Sequence, residues 1–289
     1  MTDKEYIIKC EERYEKELDE IADKLYVDKA VKLVLIAGPS CAGKTTTTNK
    51  LKKKLSRYNA TTYMLSLDDF YKSPEFAPLD EDGKPDLESV QSLDINYLHE
   101  CLHDISIGKS AYIPTFDFNL RGRTDNYYKI KLEEDDICII EGLHALNSEI
   151  YRSYVDENAM YKIFLDPQPY EDFPFTPSGA RQLRRLVRDY YHRSAKAEKT
   201  FSMWPSVRNG EKKYIYPYSD CANEKINTFF EYELSVLKDE AIKILSEIKR
   251  DSEYYDKASV IIEKLLRYRA IDPSNIPEGS LMNEFVKKQ

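Results

Sequence analysis

Residues 33–46 constrain this chain more than any other stretch. Leu33-Val34-Leu35-Ile36-Ala37 is a short continuous apolar run, the pattern of a buried β-strand. It passes without spare residues into Gly38-Pro39-Ser40-Cys41-Ala42-Gly43-Lys44-Thr45 and a helical run from Thr46 to Leu55. Strand, G-x-x-x-x-G-K-[ST] turn and helix, in that order, is the context a phosphate-binding loop requires. Gly38 and Gly43 permit a tight turn, so that backbone N–H groups along Ser40, Cys41, Ala42 and Gly43 and the helix N-terminus at Lys44, Thr45 and Thr46 can face one anion. Lys44 is placed to reach β- and γ-phosphates, and Thr45 to offer its hydroxyl to Mg²⁺. The loop alone does not say what is done with the phosphates.

The remaining composition narrows the class. A chain of 289 residues, 42% hydrophobic, can bury a sizeable core. A net charge of −8 argues against nucleic acid or an anionic membrane as the main partner. Cysteines at 10, 41, 101, 138 and 221 are widely spaced with no C-x-x-C pair, which fits a reduced, cytoplasmic setting. Residues 1–28 alternate charged with apolar side chains and lack the apolar core of a signal peptide or membrane span.

Along the chain, Ile7, Tyr14, Leu18, Ile21 and Leu25 fall at helical spacing and predict an amphipathic helix over 4–25, packed on the body. Residues 61–67 predict a strand ending at Asp68-Asp69-Phe70-Tyr71, and a long Pro- and acid-rich loop follows over 72–92. A helix is expected at about 95–105 and a short strand at 111–116. Ile137-Cys138-Ile139-Ile140 and residues 161–165 read as buried parallel strands. Helices are expected at about 178–200, 221–248 and 256–268. Strands alternating with helices predict an α/β fold, a doubly wound, mostly parallel sheet with helices on both faces. No linker composition appears, so residues 29–289 read as a single domain preceded by the helix of 1–28.

Asp68 and Glu141 both end buried strands that are expected to flank the phosphate-loop strand. Their carboxylates would then converge on a metal ion and the reacting oxygen, and Asp68 is the candidate base for a substrate hydroxyl. Taken singly, each could equally be a helix cap or turn residue. Arg181, Arg184, Arg185 and Arg188 share one face of a predicted helix, with Leu183, Leu186 and Val187 on the other. Such a face suits a lid, about 178–213, that closes over phosphates, or a basic surface paired with acids elsewhere in an acidic chain. Phe116-Asp117-Phe118, with Arg121 and Arg123 nearby, could stack on and hydrogen-bond a planar base, or be a core aromatic pair with a capping Asp. His99-Glu100-Cys101-Leu102-His103 matches the zinc pattern H-E-x-x-H, yet both histidines fall toward the edge of that helix's apolar stripe, and a chance match on a polar flank is the preferred reading.

Five ordered stretches resemble the uridine kinase and phosphoribulokinase family. They are 38–46, Leu65-Ser66-Leu67-Asp68-Asp69-Phe70-Tyr71, Pro114-Thr115-Phe116-Asp117-Phe118, Ile140-Glu141-Gly142-Leu143-His144-Ala145-Leu146 and Arg184-Arg185-Leu186-Val187-Arg188-Asp189, within about 31–235. The stretches at 232–238 and 277–285 are similar to those of a bacterial uridine kinase-like branch. The resemblance implies a P-loop NTPase fold with an Arg-rich helical lid. It implies Asp68 as the base toward a ribose 5′-hydroxyl, with Glu141 and Thr45 holding Mg²⁺. Arg185 and Arg188 would belong to the lid, an acid in the region of Asp86 or Glu88 would hold ribose hydroxyls, and Phe116 would lie beside a pyrimidine; Tyr71 and Asp117 fall in the same motifs, and Arg193 matches a lid arginine.

Two positions depart from the family. Arg121 stands where pyrimidine-specific members carry a base-reading histidine, and Ala195 where their lid has a further arginine. An arginine cannot accept a hydrogen bond, so it could read a carbonyl but not an amino group, or pair with an anion. The expectation is a kinase that transfers the γ-phosphoryl group of ATP to a hydroxyl, uridine 5′-OH first. A sugar, sugar phosphate or small alcohol is the alternative acceptor, and an NTP-hydrolysing switch the alternative class. Homo-oligomerisation is left open.

Overall fold

The computed structural model describes residues 1–287 except 59, 81–82, 118–121 and 153. In chain order its helices and strands are α1 (Asp3–Val27), β1 (Leu33–Ala37), α2 (Lys44–Leu55), β2 (Thr62–Ser66), α3 (Ile95–Ser106), β3 (Ala111–Asp117), β4 (Gly122–Ile130), β5 (Ile137–Glu141), β6 (Met160–Leu165), α4 (Pro177–Arg193), α5 (Ala197–Gly210), β7 (Glu224–Ile226), α6 (Glu233–Ser246) and α7 (Tyr255–Leu265). Short 3₁₀ turns fill several of the connections.

The central sheet is five-stranded, ordered β2-β5-β1-β6-β7, and every pairing in it is parallel. Successive side chains of a strand point to opposite faces, and the apolar runs therefore divide between two cores. Val34, Ile36, Ile139 and Ile163 join one core with α1, α4 and α6, whereas Leu33, Leu35, Ile140 and Phe164 join the other with α3 and its neighbours. Covering both faces is why these strands read as unbroken apolar stretches rather than as an alternation.

The order corrects one expectation. β5 lies directly beside β1, with Glu141 opposite Ile36, but β2 does not flank β1 and pairs only with the far side of β5, Ser66 opposite Glu141. The carboxyl ends of β1, β5 and β2 nevertheless fall on one edge, the edge where open α/β sheets bind ligands.

α1 opens with a reciprocal capping box, Thr2 and Glu5, worth about 1 kcal/mol. It buries the predicted stripe and also Glu11, and it braces the phosphate-loop helix: Tyr14 and Thr47 hydroxyls meet at 2.8 Å, and Lys54 bridges Glu15 and Asp19, each at 2.9 Å.

Three other expectations change. β3 is not in the main sheet; it pairs antiparallel with β4, a mostly polar strand whose residues are exposed or half-buried apart from the buried Ile130. The helix expected over 178–200 is broken at Ser194, whose φ of 50° is left-handed, so α4 and α5 form an elbow. Residues 222–232 are not helical: a 3₁₀ turn ends at Cys221, β7 adds an edge strand, and α6 starts only at Glu233.

Candidate active site

The loop joins β1 to α2 with Gly43 at φ 84° and Cys41 at φ 62°. Gly43 is required twice over, since a Cβ there would also come within 2.2 Å of Leu281 Cδ1. Lys44 Nζ donates to the carbonyls of Gly38 and Pro39 at 3.0 and 3.3 Å, folding back over the loop.

The outward carbonyls of the loop are held one by one. Arg181 Nη1 donates to Ser40 O at 3.0 Å, Arg184 Nη1 to Cys41 O at 2.9 Å, and Thr228 Oγ1 to Ala42 O at 2.8 Å. The loop N–H groups are only partly available to an anion, which corrects the expectation for two of them: Ser40 N–H is held by Glu211 Oε1 at 3.0 Å and Ala42 N–H by Pro39 O at 3.2 Å. The arginines are compensated in turn. Arg181 pairs with Glu211 (Nη2–Oε2 2.9 Å) and Arg184 with Glu233 (Nε–Oε2 2.9 Å), all four groups being buried.

The four arginines are therefore not one phosphate-facing lid surface. Arg181 and Arg184 clamp the loop from behind; they pair with acids, but as buried groups rather than as the surface-exposed basic face of the alternative reading. Arg185 and Arg188 lie nearer its mouth: Arg185 Nη1 donates to Ser40 Oγ at 3.0 Å, and both donate to Asp189, also at 3.0 Å. Arg193 is more exposed, 3.7 Å from Asp189. Ala195 is buried in the α4–α5 elbow, its N–H bonded to Asp189 O.

Two carboxylates stand at the same edge, linked by Ser66, whose hydroxyl donates to Glu141 Oε1 at 3.0 Å and accepts the Asp68 N–H at 3.3 Å. Burial raises the pKa of Asp68, opposed by the charges of Lys44, Arg193 and Arg188. Burial and then the neighbouring Asp68 push Glu141 up to about 7, with Lys44 pulling the other way. Two half-buried acids so destabilised as anions, with Thr45 exposed at the start of α2, are oxygen donors of the kind that suits Mg²⁺, which takes one or two carboxylates and keeps waters.

Several of the residues expected to meet an acceptor lie near Asp68. Burial, then Asp68, Glu88 and Asp86 in turn, raises the Tyr71 phenol well above its usual range, so these four groups share one environment. The Tyr71 and Phe116 rings lie 6.3 Å apart at 62°. Asp117 ends β3 partly buried, opposite Gly122. Arg121 lies outside the described residues. Arg123, the other arginine offered to a base, is committed elsewhere, to Asp94 Oδ2 at 3.0 Å and Phe70 O at 3.1 Å.

Sequence reasoning gave no role to Asp69, which docks the β3–β4 hairpin through Phe116 N–H at 3.1 Å and Tyr128 Oη at 3.4 Å. It also missed Tyr214, which donates to Asp86 Oδ2 at 2.7 Å, and the tail residue Glu284, which accepts from Thr46 at 3.2 Å. The H-E-x-x-H match builds no zinc centre: His99 bonds to Glu149 O at 2.8 Å, His103 faces solvent, and among the described residues no group of three His, Cys, Asp or Glu is placed to hold a metal ion.

A phosphate-gripping loop at the switch point of a parallel sheet, with carboxylates on the adjoining strand ends, defines a phosphotransferase of the P-loop class. Residues 33–235 match the phosphoribulokinase / uridine kinase family, and the chain belongs to it. The uridine kinase of Staphylococcus aureus strain JH9 is 31% identical over 190 residues, 65% of this chain and 84% of that one. A solved structure from Bacillus stearothermophilus, provisionally assigned as a uridine kinase, superposes with a TM-score of 0.52 at 14% identity over 74% of this chain and all of that one. Another, from Silicibacter sp. TM1040 and provisionally assigned as a fructose transport system kinase, gives 0.53 at 15% identity over 72% and 98%. At such identities the two structures speak to the fold alone. Family and fold together make the protein an ATP-dependent kinase that acts on a hydroxyl group.

Proposed function

We propose that the acceptor is the 5′-hydroxyl of uridine, phosphorylated by Mg²⁺-ATP. The observation that carries the chemistry is that Asp68 lies close enough to Lys44, Arg193 and Arg188 to feel their charges, and itself raises the pKa of both Glu141 and Tyr71. A group there meets both a bound γ-phosphate and an acceptor hydroxyl.

In this reading Lys44 and the loop N–H groups hold the phosphates, and Arg185 and Arg188 neutralise charge on the transferring group. Asp68 accepts the hydroxyl proton, its raised pKa making it a better base than an exposed aspartate. Thr45, Glu141 and Asp68 would hold Mg²⁺, which supplies charge neutralisation between the phosphates. Tyr71 and Phe116 would flank the pyrimidine, Asp86 or Glu88 the ribose hydroxyls, and Asp117, Arg121 and Arg193 would complete the acceptor region. Little covalent chemistry is asked of the protein; positioning and electrostatics supply the rate.

Uridine is favoured by the S. aureus relative and by Arg121, which can donate to a base carbonyl but cannot accept from the amino group of cytidine. A non-nucleoside acceptor is the second reading, favoured by Ala195, which stands where the lid of the pyrimidine kinases has a further arginine. Five free cysteines support a reducing, cytoplasmic location, and no helix among the described residues is long and apolar enough to cross a membrane.

The test is ADP release from Mg²⁺-ATP with uridine, cytidine, other nucleosides, sugars and sugar phosphates each offered as acceptor. Strong stimulation by uridine supports the proposal. Stimulation by another acceptor alone replaces the substrate, and slow turnover indifferent to every acceptor favours a nucleotide switch.

A further inference from the structure

α5 does not end at Gly210 but widens into a π-helical turn over 211–215. Such turns weaken the regular hydrogen-bond ladder and recur where a helix serves a site. This one touches both halves of the site. Its first residue, Glu211, is fully buried, and its Oε1 accepts the Ser40 N–H at 3.0 Å while Arg181 secures the carboxylate. Its fourth residue, Tyr214, reaches the other way, to Asp86 Oδ2 at 2.7 Å. Gly210 lies so close to Glu88 that a Cβ would stand 2.4 Å from the Glu88 Cβ.

Asp86 is otherwise oriented by its own loop, Oδ1 accepting the Glu88 N–H at 3.2 Å. An ionised carboxylate has about four acceptor positions; with one on each oxygen committed, a pair remains, the number a vicinal diol can fill. The Tyr214 ring is itself walled by the buried His144, 6.2 Å away at 70°. Burial draws that imidazole down to about 4, so the wall is uncharged at neutral pH.

We propose that Tyr214 is an acceptor-positioning residue: it fixes the Asp86 carboxylate to receive a vicinal diol, and the π-helical turn, anchored on Ser40 through Glu211, holds that carboxylate at a set distance from the phosphates. The inference rests on the reading that the acceptor is a ribonucleoside.

The full-length Tyr214→Phe enzyme is compared with wild type on uridine and on 2′,3′-dideoxyuridine, which keeps the 5′-hydroxyl and lacks the diol. The KM for uridine rises about tenfold, the loss expected for one hydrogen bond to a charged group. The kcat, the KM for ATP and both constants for dideoxyuridine stay within about twofold of wild type. Asp86→Asn shows the same diol-selective loss, and the double variant is no worse than Asp86→Asn alone, as for two groups acting through one contact. Equal losses on both acceptors or on ATP, additive effects in the double variant, or an unchanged uridine KM overturn the inference. A wild-type enzyme that uridine does not stimulate overturns the underlying reading first, and the inference with it.

Discussion

Glu211 Oε1 accepts the backbone N–H of Ser40 at 3.0 Å, and the same carboxylate holds Arg181, whose Nη1 donates to Ser40 O at 3.0 Å. Both polar groups of one loop residue are thus fixed by a buried ion pair. Glu211→Gln leaves Arg181 charged and uncompensated at 1% exposure. Breaking a buried pair from one side costs about 3–5 kcal/mol, and denaturant unfolding of the variant is expected to show a loss of that size. A change within experimental error would mean that water or another acid takes over from Glu211.

Gly43→Ala meets two obstacles, a left-handed φ of 84° and Leu281 Cδ1 at 2.2 Å. The backbone part alone costs about 1–3 kcal/mol, and the variant is expected to lose both stability and ATP affinity. Adding Leu281→Ala relieves the contact but not the backbone strain, so the pair recovers only in part. Calorimetric titration with ATP and a melting curve check both statements; full recovery would assign the whole effect to Leu281.

Burial pushes Glu88 from 4.5 up to about 7, against the pull of Arg185, with Glu211 and Asp86 adding to the rise. A carboxyl so raised takes up a proton on folding between those values. Its stabilising effect is complete below about 4.5 and is lost as pH rises through about 7. The ligand-free protein is expected to melt several degrees lower at pH 8 than at pH 5, and Glu88→Gln to flatten that slope. Glu141, raised to about 7 by burial and Asp68, acts with the same sign, while His144, drawn from 6.5 down to about 4 by burial, acts with the opposite sign below 6.5, so part of the slope persists. Parallel pH profiles for wild type and Glu88→Gln would remove Glu88 from this account.

The elements with local signatures were legible in the sequence: the loop and its flanks, the stripe of α1, the apolar runs of β5 and β6. What could not be read were relations that depend on distant partners. The insertion of β5 between β1 and β2 leaves no mark on any single strand. The mostly polar β4 offers no period of burial. Arg181 and Arg184 share a helical face with Arg185 and Arg188, and only acids 30 and 49 residues further on turn the first two into buried clamps. The contact of Glu284 with Thr46 spans 238 residues. Local pattern thus located the glycine-rich loop, and packing decided which of its charged neighbours are buried against it in ion pairs.

The most direct test of the central claim is the Asp68→Asn enzyme, assayed for acceptor-dependent ADP release alongside a direct measurement of ATP affinity. Loss of a positioned base lowers kcat by about 10²–10⁴-fold, while ATP, held by Lys44 and the loop, is expected to bind nearly as in wild type. A variant that turns over close to the wild-type rate, or that loses ATP binding along with turnover, would contradict the assignment of Asp68 as the group that takes the hydroxyl proton.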